Sequence, residues 1–215
     1  MSLPFEWKGT GLRILDFDTE NRPLSYLGSD FTTGDVTAIA AGWVGEPKSR
    51  IKVWCLGVPC YHGACQDTHF GVSYTEMFNG FLEMFEEADM VTGHFIRGYD
   101  LPVLNGALLE FGYAPLRDIL THDTKLDLRK RKYLSASQES LAGTLGVAAP
   151  KVQMDQTKWR AANRLIPEGI DLTRERVVGD VIQHMALREA LLHNGWLDAP
   201  RMWRSSGSTE GVYTP

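Results

Sequence analysis

Apolar positions near the start of the chain come in short β-rich runs, Leu12 to Thr19, Val36 to Val44 and Ile51 to Leu56, which predict three strands. Gly45, Glu46, Pro47, Lys48 and Ser49 make a tight polar connection, so the second and third strands are expected to form an antiparallel hairpin. From Ser73 the period changes. Phe78, Phe81, Leu82 and Phe85 recur at helical spacing, and Ser73 with Glu76 has the reciprocal spacing that satisfies the free N–H groups of a helix start. Asp89 to Phe95 reads as a short strand. It is followed by a helix with Leu101, Leu104, Leu108 and Phe111 on one stripe and Gly112 at its end. Another apolar stretch ends at Ile119 and Leu120. Ser135 and Gln138 then cap a short helix closed by Gly146, and a last helix carries Val177, Val181, Ile182, Met185 and Leu191. Strands first, then alternating helices and strands, predict an α/β sandwich around a mixed β-sheet flanked by helices. Trp159 is read as core, and the stretch from Leu197, with Ser205, Ser206, Gly207 and Ser208, as loosely ordered.

Composition narrows the class without naming a chemistry. With 215 residues, 43% apolar and 23% charged, one domain with a single core is expected, and neither a disordered nor a fibrous chain fits. No apolar stretch approaches the roughly 18 residues of a membrane span, and Glu6 and Lys8 stand where a signal peptide needs an apolar run. A cytoplasmic protein is expected. The three cysteines cannot all pair, which suits a reducing compartment. Cys55, Cys60, His62, Cys65 and His69 form a soft-ligand cluster that could hold zinc. They lack a Cys-x-x-Cys knuckle, so reduced thiols are the default. There is no Walker sequence and no Gly-x-Gly-x-x-Gly.

Charge is uneven. The chain carries net −5, yet Thr121 to Leu165 holds nine Lys and Arg against four acids, a local +5 that leaves −10 for the remainder. Lys125 to Lys132 is a stretch that would steer a phosphate backbone or form a solvated helix face, and Tyr99 or Tyr133 would stack on an unpaired base.

Three sets of carboxylates stand in awkward places. Asp16, Asp18 and Glu20 share one face at the end of an apolar strand. They are either solvated turn residues or a crowd of like charges that needs a cation, for which Mg²⁺ or Mn²⁺ is suited. Asp100 begins a helix ahead of Pro102, where an N-cap is the ordinary reading, although a cap can also be a ligand. Asp180 sits between apolar residues of a core helix, with Arg176 one turn earlier and His184 one turn later on the same face.

Taken together, Asp18, Glu20, Asp100 and Asp180 resemble the four-carboxylate (DEDD) superfamily of proofreading-type 3′-to-5′ exonucleases, which includes phage and polymerase-associated members. The first motif is Ile14-Leu15-Asp16-Phe17-Asp18-Thr19-Glu20. The second is Val91-Thr92-Gly93-His94 leading to Tyr99-Asp100-Leu101-Pro102-Val103-Leu104, and the third is Val177-Val178-Gly179-Asp180-Val181 with Leu187 after it. Asp123-Thr124-Lys125, Leu141 to Gly146, and Lys151 fall where such enzymes carry similar segments, and the likeness covers nearly all of Leu12 to Asn194. Each motif alone is weak, whereas three in order and in context are a fairly strong signal.

The resemblance implies a ribonuclease H-like fold with three antiparallel strands followed by parallel ones. It implies a domain over residues 1–196 with a loosely ordered C-terminal tail over 197–215. It also implies four carboxylates holding two divalent cations, Mg²⁺ or Mn²⁺, for phosphodiester hydrolysis at a single-stranded or frayed DNA 3′ end, with RNA as a possible alternative substrate and replication or repair proteins as possible partners. Thr19, His94, Tyr99, Lys125, Arg129 and Lys151 become candidate nucleic-acid contacts. Three departures stand out. Glu175 and Arg176 occupy the places where a water-orienting His or Tyr is usual, leaving His184 as the candidate base. Phe95 replaces a common Asn, and Asp16 adds an acid, so that Asp16 with Asp18 is an alternative metal pair to the favoured Asp18 and Glu20.

Overall fold

A computed structural model describes residues 11–23, 34–59, 68–69, 71–129, 134–147 and 152–206. Three leading strands form as the apolar runs predict: β1 (Ile14–Pro23), β2 (Gly34–Trp43) and β3 (Lys52–Cys55). β1 and β2 are antiparallel with Asp18 opposite Ala40, and the β2–β3 hairpin sets Ala40 opposite Val53. A small ribbon, β4 (Val58–Pro59) with β5 (Thr68–His69), follows outside the main sheet.

α1 (Tyr74–Glu87) begins with the reciprocal Ser73–Glu76 cap: the Ser73 N–H donates to Glu76 Oε2 at 2.8 Å and the Glu76 N–H to Ser73 Oγ at 3.2 Å. β6 (Met90–Gly93), α2 (Asp100–Glu110) and β7 (Ile119–Asp123) come next, and β6 runs parallel to β1 on one side and to β7 on the other. α3 (Gln138–Thr144), α4 (Gln156–Asn163), α5 (Pro167–His193) and β8 (Arg201–Trp203) complete the chain. The six-stranded order β3-β2-β1-β6-β7-β8, mixed in direction and flanked by helices, is the α/β, ribonuclease H-like topology.

Several local expectations change. The third helix is capped by Ser137, whose side chain accepts from the Ser140 N–H, rather than by Ser135. Phe111 is not on the buried stripe; it follows α2 and is 41% exposed. The loose-tail reading fails over residues 201–203, because β8 pairs antiparallel with β7 and buries Trp203 at the sheet edge. Residues 207–215 lie outside the described residues. Trp159 is only partly buried on α4.

Both faces of the sheet are covered. Leu15, Phe17, Ile39 and Ala41 meet Phe78, Phe81 and Phe85 of α1 and Leu101, Leu104 and Leu108 of α2. On the other face the small side chains of Ala38 and Ala40 admit Ile170, Val177 and Val181 of α5. No described helix is long and apolar enough to cross a membrane.

Candidate active site

β1 is apolar toward α1 and α2 through Leu15 and Phe17, while the alternating positions Asp16, Asp18 and Glu20 turn toward α5. α5 presents Arg176, Asp180, His184 and Arg188 at four-residue intervals, a single ridge along the helix. Two strand residues advance about 6.6 Å and four helical residues about 6 Å, so the two rows keep step in opposite directions. His184 Nδ1 lies 2.7 Å from Asp16 Oδ2 at one end. Arg176 Nε donates to Glu20 Oε1 at 2.5 Å at the other. Between these rungs acid meets acid: one oxygen each of Asp18, Glu20 and Asp180 all lie within 4.8 Å of one another.

That middle rung has the character of a cation site. Burial first, and then the charges of Asp100, Asp180 and Glu20, push the Asp18 carboxyl well above its usual range, with Arg176 offsetting only part of the effect. A divalent cation would remove this penalty, and hard carboxylate oxygens in a compact group fit Mg²⁺ or Mn²⁺. The geometry groups Glu20, rather than Asp16, with Asp18. Asp16 is fully buried, its carboxyl raised by burial and pulled back by His184 and Arg188.

Asp100 is the first residue of α2, not its N-cap. Its Oδ1 accepts from the Thr19 hydroxyl at 2.6 Å and from the Thr19 N–H at 3.2 Å, so a helix start is tied to the acid-bearing strand across 81 residues of sequence. Burial raises the Asp100 carboxyl to about 6 against the lowering effect of these bonds. The loop before it is anchored at a buried carboxylate. Asp123 Oδ1 accepts from the N–H groups of Phe95, Lys125 and Leu126 and Oδ2 from that of Arg97, each at 3.0 Å. Arg97 in turn forks onto Asp127 at 2.9 and 2.5 Å. This anchoring holds Phe95 at φ 73°, and Gly93 is required where a Cβ would meet the Phe17 carbonyl oxygen at 2.9 Å.

His184 is not brought to the acid group as a free base. It is 2% exposed, with Nδ1 on Asp16 and Nε2 on Thr124 Oγ1 at 3.0 Å. Both ring nitrogens are engaged by these partners. Thr124 Oγ1 also meets His94 Nδ1 at 2.9 Å. Burial, followed by the His184 charge, pushes His94 down to about 4, so it is neutral at pH 7.

Among the candidate nucleic-acid contacts, Thr19 is buried on Asp100 and Tyr99 is 47% exposed beside it. Lys125 Nζ lies 3.8 Å over the Phe95 ring, and Arg129, half exposed, pairs with Asp198 at 3.2 Å. Lys151, with Lys130 to Tyr133, lies outside the described residues. So do Cys60, His62 and Cys65 of the zinc reading; Cys55 is buried with its thiol pushed up to about 11. Sequence reasoning missed the setting of Arg176. Its guanidinium carbon lies 5.2 Å from the Trp159 ring and its Nη1 donates to the Val152 carbonyl at 3.3 Å. The available signal was an arginine one helical turn before Asp180.

No protein-family profile matches the chain, and no curated protein does. Among solved structures the chain is similar to the family B DNA polymerase from the hyperthermophilic archaeon Pyrobaculum calidifontis, with 19% identity and a TM-score of 0.59. The match covers 84% of this chain and 24% of that one, so the chain spans about a quarter of the polymerase's length. This is a likeness of fold.

Proposed function

We propose that the protein is a metal-dependent 3′-to-5′ exonuclease that hydrolyses phosphodiester bonds at a single-stranded or frayed DNA 3′ end and releases nucleoside monophosphates. The observation that carries this reading is the compact group of Asp18, Glu20 and Asp180 oxygens, within 4.8 Å of one another. Asp100 is tied to the same strand through Thr19. Polarity and DNA preference come from the motif resemblance, and the shared fold of a DNA polymerase supports nucleic acid as the partner.

Bound Mg²⁺ or Mn²⁺ would activate a water for in-line attack on phosphorus and compensate charge on the departing 3′ oxygen. Asp18, Glu20, Asp100 and Asp180 would hold the cations. Thr19 orients Asp100 by its two hydrogen bonds. The exposed Tyr99 ring supplies a stacking surface for the terminal base, and Lys125 adds positive charge on the same approach. Proteins of replication or repair would be the functional context.

The test is degradation of 5′-labelled single-stranded DNA with Mg²⁺ or Mn²⁺. A one-nucleotide ladder abolished by EDTA and by Asp18→Ala supports the reading. A ladder from RNA alone would make the protein a ribonuclease of the same fold. No cleavage of either with either metal overturns the enzyme reading. A second reading, a catalytically silent relative that binds nucleic-acid ends, is favoured by the Arg176–Glu20 ion pair inside the acid group. Metal and DNA binding without turnover distinguishes it.

A further inference from the structure

Arg176 is built into the acid group rather than laid over it. Its Nε bonds Glu20 Oε1 at 2.5 Å, its Nη2 lies 3.6 Å from Asp180 Oδ2, its Nη1 donates to the Val152 carbonyl at 3.3 Å, and its guanidinium carbon lies 5.2 Å from the Trp159 ring. Its side chain is 19% exposed. A guanidinium does not deprotonate at any working pH, so this is a permanent positive charge in contact with two of the three grouped ligands. The interactions come from three separate pieces of chain: β1, α4 with the segment before it, and α5 itself. A second cation sharing Glu20 would compete with Arg176 for that carboxylate and sit beside a like charge. A single cation centred on Asp18 leaves the Glu20 pair in place.

We propose that, in the nucleic-acid-free protein, Arg176 takes the place of one of the two divalent cations, so that the site takes a single Mg²⁺ or Mn²⁺. The inference rests on the reading of Asp18, Glu20, Asp100 and Asp180 as a divalent-metal centre. It assigns the departure at position 176 a charge role: the guanidinium supplies at Glu20 the compensation that a second ion would otherwise provide. Trp159 and Val152 act as positioning groups that keep the side chain there.

The experiment is Mn²⁺ titration of the full chain by calorimetry, with electron paramagnetic resonance on the same samples. The parent protein is expected to take one Mn²⁺ and to give the six-line spectrum of an isolated ion. Arg176→Ala and Arg176→Gln are expected to take two, the second bound at least about tenfold more tightly than in the parent. Their spectra should show the spin coupling of ions about 3.5 to 4 Å apart. Arg176→Lys keeps the charge and is expected to stay at one. Circular dichroism and melting confirm that each variant is folded, and the conservative Gln and Lys forms keep the test valid if the Ala form is not. Two ions in the parent, or one in both neutral variants, overturns the proposal. No Mn²⁺ in any form overturns the metal-centre reading beneath it. One ion in the parent and two in the neutral variants, without cleavage of DNA or RNA, supports the assignment of Arg176 while overturning the nuclease reading.

Discussion

The two faces of β1 solve opposite problems. Toward α1 and α2, Leu15 and Phe17 enter an aromatic core where Phe17 and Phe81 stand 5.2 Å apart and Phe81 and Phe85 5.7 Å apart. Toward α5, the same strand offers Asp16, Asp18 and Glu20, of which the two outer acids meet His184 and Arg176. One face removes apolar surface from water and is stable by itself. The other, where Arg176 also reaches Asp180 at 3.6 Å, pairs acid with base most closely at its ends. Its centre, Asp18 against Asp180, is a place where the folded chain concentrates like charge. The difference separates a face that supports the fold from a face whose like charges a bound cation would relieve.

The comparison breaks most sharply at Phe81. The Phe81→Ala variant leaves a cavity against Phe17 and Phe85 and is expected to lose about 3 to 5 kcal/mol of stability. Denaturant unfolding checks the loss. Mn²⁺ stoichiometry, measured on the folded fraction, is expected to stay as in the parent. A change there would mean that the two faces are coupled through the strand.

On the acidic face, neighbouring positions are expected to respond with opposite signs. Asp16→Ala removes the partner of His184 and leaves Arg188 buried near an empty site, which costs about 3 kcal/mol. Asp18→Asn removes a carboxylate that Asp100, Asp180 and Glu20 all repel, and in EDTA it is expected to stabilise the protein by about 1 to 2 kcal/mol. Saturating Mn²⁺ reverses the second result, because only the parent gains binding energy, about 2.7 kcal/mol at a hundredfold excess over Kd. Urea midpoints with and without metal read both. If Asp18→Asn is destabilised in EDTA, the central rung is not a repulsive one.

Legibility followed the range of the forces involved. The first three strands, the Ser73–Glu76 cap and the α2 stripe are written in neighbouring residues, so periodicity and capping chemistry revealed them. α4 was not legible because Ala162 is its one buried residue, and β8 because three residues with only Trp203 buried carry no period. At the site, the sequence carried the order of the acids and the departure at Arg176. It did not carry direction. His184 stands one turn from Asp180 as expected, but Asp16, 168 residues away, and Thr124 claim its two nitrogens. Likewise Asp100 has the spacing of a cap and gives its carboxylate to Thr19 instead. Pairings across such distances depend on which strand lies beside which helix, and no local pattern encodes that.

The finest test of the comparison lies on the acidic face itself, two strands away from Asp16, at His122 on β7, which is in register with Thr92 and through it with Asp16. The ring is fully buried and meets the Asp198 carbonyl at 3.1 Å through Nε2. Burial first, and then the charge of Arg188, push it down to about 3. The unfolded chain, with a histidine near 6.5, therefore takes up the proton first, and the contribution of His122 to stability is lost as pH falls from about 6.5 toward 3. Asp16, Asp18 and Asp100, all raised, run in the opposite sense and favour the folded state as pH falls, so the parent profile alone mixes the two. His122→Gln cancels the acids by difference. The stability of the parent relative to this variant is expected to fall by about 1 kcal/mol between pH 6 and pH 5, read from urea midpoints in EDTA. A gap that stays constant would mean that water reaches His122, and that the sealed part of this face does not begin between β1 and β7.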